Sequence, residues 1–137
     1  MPRRAAILML AATLALGLAA RAVRHRLPGV LSDAIPDGLW GAAVMWIVVA
    51  VATQLRIASA AAIAGLLAVG IEFFKLYDPP LVHAFRWSLL GGLVLGHTFT
   101  PLKIVWYIVG IAGSAYMAHR LHAKSNQRQD TAMVASK

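Results

Sequence analysis

The sequence predicts an all-α polytopic membrane protein with four transmembrane helices and a short interfacial or re-entrant helix between the last two. Two observations carry that prediction. Only 13% of the 137 residues are charged while 60% are hydrophobic, against about 25% charged in a typical soluble domain. With a mean hydropathy of +0.71, much of this surface has lipid rather than water as its solvent. The apolar residues also fall in runs that suit a hydrocarbon core of ~30 Å crossed by helices.

The first run, AAILMLAATLALGLAA, extends from Ala5 to Ala20 between Arg3-Arg4 and Arg21. Such a helix rises only ~24 Å, so the flanking arginines snorkel to complete a span over about 5–23. A basic start and an apolar middle also describe a signal peptide. Arg24, His25 and Arg26 crowd the position where cleavage would fall, so a retained anchor is expected. The connector RAVRHRLPGVLSDAIPD is polar and holds two prolines; Asp37 at its end reads as the N-cap of a second span, 38–55. Arg56 marks a tight turn into a third span, 57–77, so these two spans form an antiparallel hairpin. Asp78-Pro79-Pro80 stops the third helix. The segment 81–96, LVHAFRWSLLGGLVLG, is apolar but short and carries His83, Arg86 and a Gly91-Gly92 pair, which suits an interfacial or re-entrant helix. The last span covers about 98–118, and the polar, basic tail 119–137 is expected to be disordered. The spans form a single bundle over 1–118 with no internal repeat.

In lipid, helices associate through close packing and polar contacts rather than through burial of apolar area. Ala61 and Gly65 on the third span, and Gly110 and Ser114 on the last, are each four apart and suit helix packing within the bundle; homo- or hetero-oligomer contacts through the same faces are the other use. Seven Lys and Arg lie at the N-terminus, the Arg56 turn and the tail, and six lie on the other side. That balance does not settle orientation, but a long basic tail is expected to stay inside. The expected location is the bacterial inner membrane with both termini cytoplasmic.

The net charge of +8 does not point to nucleic acid, because the cations flank apolar runs, where they anchor spans and meet anionic lipid headgroups. Without cysteine there is no disulfide, thiol nucleophile or iron–sulfur ligation. None of the five histidines pairs with a nearby acid at metal spacing, and LGGLVLG lacks the lysine and preceding strand of a phosphate loop, so no metal or cofactor is expected.

The chemistry-bearing stretch is IEFFKLYDPPLVHAFRW, Ile71 to Trp87. Glu72 lies ~7 Å below its helix end, where a carboxylate needs a partner or a wet cavity. Lys75 shares its face and can pair with it. His83 and Arg86 are three apart, and Lys103 and Tyr107 four apart on the last span. If these residues gather at one membrane surface, positive charge exceeds negative. Glu72, Lys75, His83, Arg86, Lys103 and Tyr107 then suit a phosphate or carboxylate headgroup. The plainer reading makes them helix-end anchors, like Trp40, Trp46, Trp87 and Trp106. Glu72 is the candidate general base if there is catalysis.

SDAIPDGLWGAAVMW, IEFFKLYDPPL, FRWSLLGGLVLGHTF and WYIVGIAG together resemble a family of small bacterial membrane proteins, YjgA-like, of uncharacterised function. That family is distantly similar to the VanZ-like proteins associated with glycopeptide (teicoplanin) resistance. The resemblance covers roughly 27–113, and Asp37, Trp40, Glu72, Tyr77, Arg86, Gly96, His97 and Tyr107 match its pattern. The family tends to have glutamine at Lys75 and aspartates near His83 and Lys103, so this chain is more positive there. Three functions are open. The first is a non-enzymatic module binding an anionic lipid or envelope-precursor headgroup. The others are a small enzyme on a lipid-linked phosphate, and a structural or assembly subunit of a membrane complex.

Overall fold

The computed structural model describes residues 2–77, 79–94 and 100–135. Among these, every regular element is helical: α1 (Arg3–Ala22), α2 (Gly29–Val51), α3 (Ile57–Phe74), α4 (Pro80–Arg86), α5 (Leu89–Val94) and α6 (Pro101–Ala135), with a 3-10 turn at Arg24–Arg26 after α1. Four stretches are long and apolar enough to cross a membrane: Arg3–Ala22, Gly29–Val51, Ile57–Phe74 and Pro101–Ser125. The all-α, four-span architecture is therefore present. The ends of α1 and α3 and the starts of α2 and α6 gather at one end of the bundle.

The connector before the second span differs from expectation. Pro28, in extended conformation, precedes the first residue of α2, which begins at Gly29 rather than at Gly38. Asp37 is thus inside the helix and is not an N-cap. Pro36 also lies inside α2; lacking an N–H, it leaves the Ser32 carbonyl without its intrahelical donor. Two prolines could each have started this helix, and local sequence does not choose between them.

α2 is the central helix, packing on α1, α3 and α6. Met45, Val48 and Val49 meet Ala60, Ala64 and Ala68 of α3 and Tyr107 and Ile111 of α6 in the core. Arg56, extended, sits at the N-cap of α3 as the tight turn requires. The buried face of α3 is Ala60, Ala64, Ala68 and Glu72, one residue removed from the expected Ala61 and Gly65. A Cβ at Gly65 would meet nothing within 4 Å. In a run as uniformly small as ASAAAIAG, adjacent faces look alike. The last span does pack as expected: Ser114 is buried, and a Cβ on Gly110 would fall 1.8 Å from the Gly38 carbonyl oxygen. Gly41 meets the Tyr107 backbone in the same way, at 2.4 Å. Glycine is needed at this α2–α6 crossing because two backbones touch there.

Two short helices, of seven and six residues, stand where one was expected over 81–96; at ~10 Å each, neither spans a bilayer. Ser88 separates them and caps α5, its Oγ accepting from the Gly91 N–H at 3.1 Å. Asp78, expected to help end the third helix, and residues 95–99, where the last span was expected to begin and where Gly96 and His97 lie, fall outside the described residues. The tail is helical rather than disordered: α6 runs 35 residues, to Ala135. At ~52 Å it extends well past a ~30 Å hydrocarbon core, and neither proline nor glycine interrupts it after Gly113. Among the described residues α1 packs on α2 and the following turn but not on α6, so a cleft opens between α1 and α6 with α2 as its floor.

Candidate functional site

The site grows from the small-residue stripe of α3. Continued by one more helical step, Ala60, Ala64 and Ala68 place Glu72 in the same buried face, with no exposed surface. A bare carboxylate there would be strongly unfavourable. Three donors serve it. Lys75, at the C-cap of α3 and itself buried, donates from Nζ to Glu72 Oε2. The Tyr107 hydroxyl donates to the same oxygen at 3.2 Å. The Thr100 N–H, just before α6, donates to Oε1 at 3.0 Å. One carboxylate thus ties the end of α3 to the start of α6.

Arg86 ends α4 and is also buried. It donates to the carbonyls of Lys75 at 3.2 Å and Tyr77 at 3.4 Å. Carbonyls after a helix's last turn lack intrahelical donors and carry the negative end of its dipole, so Arg86 acts as a cap folded back onto α3 from the next helix.

The six residues expected to form the site therefore separate. Glu72, Lys75, Arg86 and Tyr107 come together. His83 is exposed, with its ring 6.0 Å from that of Trp87. Lys103 is half-buried and lines the cleft between α1 and α6. Chemically, the buried four form an ion cluster in which both Glu72 oxygens are engaged. Glu72 as a general base would first have to give up a donor. Among the described residues no group of three or more His, Cys, Asp or Glu is placed to hold a metal ion.

The cleft adjoins this cluster through Thr100, whose backbone binds Glu72 while the residue lines the cleft wall. The cleft encloses about 580 Å³. Asp37 and Trp106 face it, and among the described residues neither Asp37 Oδ2 nor Trp106 Nε1, both buried, has a hydrogen-bond partner. Sequence reasoning placed Asp37 at a helix start and Trp106 at an interface, and it had no means of finding the Thr100 N–H or the carbonyls that Arg86 binds.

No solved structure matches the chain. Residues 26–111 match the DUF2809 family, described as a protein of unknown function. The matched stretch holds the whole ion cluster together with Asp37, Lys103 and Trp106, and leaves α1 outside. Covering more than half of the sequence, it makes the chain a member of the DUF2809 family.

Proposed function

We propose that this protein is a non-enzymatic membrane module that binds the headgroup of an anionic amphiphile, a lipid or an envelope precursor, at the end of the bundle where Glu72, Lys75, Arg86 and Lys103 lie. The observation that carries this reading is the charge balance: Lys75, Arg86 and Lys103 gather at the end of the bundle that holds two carboxylates, Glu72, already paired with Lys75, and Asp37. The Glu72 contacts to Thr100 and Tyr107 hold the first turns of α6, and with them Lys103, in a fixed position. The resemblance of the YjgA-like motifs to VanZ-like proteins supports an envelope role. The enzyme reading has less support, because both Glu72 oxygens are engaged and the residue is fully buried. Assembly through Gly110 and Ser114 also has less support, since both face inward, whereas Gly65 on the other expected face is open.

The same reading places the protein in the bacterial inner membrane with both termini cytoplasmic. Two of the six cations at the site end, Lys75 and Arg86, are buried, so fewer remain there to meet headgroups than at the opposite end. The test of function is native mass spectrometry from mild detergent, with wild type beside Glu72→Gln and Arg86→Ala. The expected result is a discrete lipid mass on wild type that weakens in the variants. A wild-type protein that stays bare when anionic phospholipid or polyprenyl phosphate is added refutes the proposal.

A further inference from the structure

We infer that the cleft between α1 and α6 seats one bilayer phospholipid whose headgroup is an anionic phosphodiester carrying a free hydroxyl. The inference rests on the amphiphile-binding reading above and deepens it by naming the seat and the headgroup chemistry. The first argument is the pair of unsatisfied atoms. With Asp37 ionised, its Oδ2 accepts, while Trp106 Nε1–H donates, and both atoms are buried without a partner among the described residues, on side chains that line the cleft. Both atoms are shielded from solvent, so water does not compensate them. A ligand that satisfies both must present a donor and an acceptor together. A hydroxyl supplies the donor to Asp37, and a phosphate oxygen accepts from Trp106.

The second argument is charge. The cleft is lined by Arg21, Arg24 and Lys103 against Asp33 and Asp37. Arg24 pairs with Asp33 at 3.5 Å in an exposed bridge, while Asp37 forms no ion pair among the described residues. Arg21 and Lys103 against Asp37 leave one net positive charge. A phosphodiester with a neutral, hydroxylated headgroup carries one negative charge and balances it. A zwitterionic ammonium headgroup would satisfy Asp37 but leave a cation uncompensated.

The third argument is shape. Arg21, Arg24 and Ser32 stand at the polar mouth, while Leu14, Leu39 and Ala43 line the apolar part further along the helices. That is the polarity gradient of a lipid. The volume of about 580 Å³ falls within the ~300–1,000 Å³ usual for a small-molecule site.

The test uses the full chain in mild detergent, titrated in native mass spectrometry with three probes of matched acyl chains: phosphatidylglycerol, phosphatidylmethanol and phosphatidylethanolamine. Phosphatidylmethanol keeps the charge and removes the hydroxyls. Phosphatidylglycerol is expected to bind about tenfold tighter than phosphatidylmethanol, the scale of one hydrogen bond to a charged acceptor. Asp37→Ala is expected to erase that preference, and Trp106→Phe to weaken both anionic lipids alike. Neither substitution removes a protein–protein hydrogen bond of the orphan atom, so both variants should fold. Equal binding of the two anionic lipids, tighter binding of phosphatidylethanolamine, or retention of polyprenyl phosphate in place of phosphatidylglycerol would each overturn the inference. If Asp37→Ala and Trp106→Phe bind like wild type while Arg86→Ala loses the lipid, the seat is the ion cluster. The inference then fails while the broader reading stands. No lipid on wild type defeats both.

Discussion

The α2–α6 crossing permits a test in which one substitution, made twice on one helix, should have opposite signs. At Gly110 a Cβ would sit 1.8 Å from the Gly38 carbonyl oxygen and 2.7 Å from its carbon. Ordinary contact begins near ~3.5 Å, so Gly110→Ala must part the two backbones by more than ~1 Å. Neither obstructing atom belongs to a side chain that could swing away. Association in lipid relies on this kind of close packing, and overpacking a tight contact costs about 1–3 kcal/mol. At Gly113, on the same helix, a Cβ would meet nothing within 4 Å. There the change should stabilise by up to ~1 kcal/mol through helix propensity alone. The two variants should therefore differ by roughly 1–4 kcal/mol. The assay is unfolding by SDS in mixed micelles followed by far-UV circular dichroism. Equal stabilities for the two variants would refute the close-packed crossing and, with it, the position of Tyr107 against Glu72.

Glu72→Gln should destabilise by about 3–5 kcal/mol, because it leaves the Lys75 ammonium buried without its counter-charge; replacing both Glu72 and Lys75 by Met should recover much of that loss in the same unfolding assay. Tyr107→Phe removes one hydrogen bond to a buried carboxylate and should cost about 1.5–3 kcal/mol. In the Glu72→Gln background its cost should shrink, and full additivity would show that the two residues do not interact. The chain has no native cysteine, so orientation can be read directly. With both termini inside, a cysteine at His25 should react with an impermeant maleimide on intact cells and one at Gln54 should not; the reverse pattern would invert the bundle.

The ion cluster shows how far local spacing carries. Glu72 and Lys75 are three apart on a helix, so their pairing follows from the chain itself, and Tyr107 came within reach once the last span was placed. Arg86 was expected near this group, but the carbonyls it binds were not legible, since backbone acceptors carry no signature in a sequence. His83 shares a three-residue spacing with Arg86 yet ends exposed, its ring beside that of Trp87.

The sequence by itself determined that the chain is helical, that it crosses a membrane four times, and that the second and third spans form a hairpin. These follow from composition, run length and the tight turn at Arg56, all properties of contiguous residues. Only the tertiary structure decided that Ala60 rather than Ala61 faces the core, that Asp37 lies within α2, and that α1 and α6 stand apart to leave a cleft between them. The physical reason is the solvent. In water a helix shows its buried face by contrast with a polar one, but in lipid both faces of α3 are apolar. Inside and outside are then distinguished only by which backbones can approach, and that is settled between helices rather than along them.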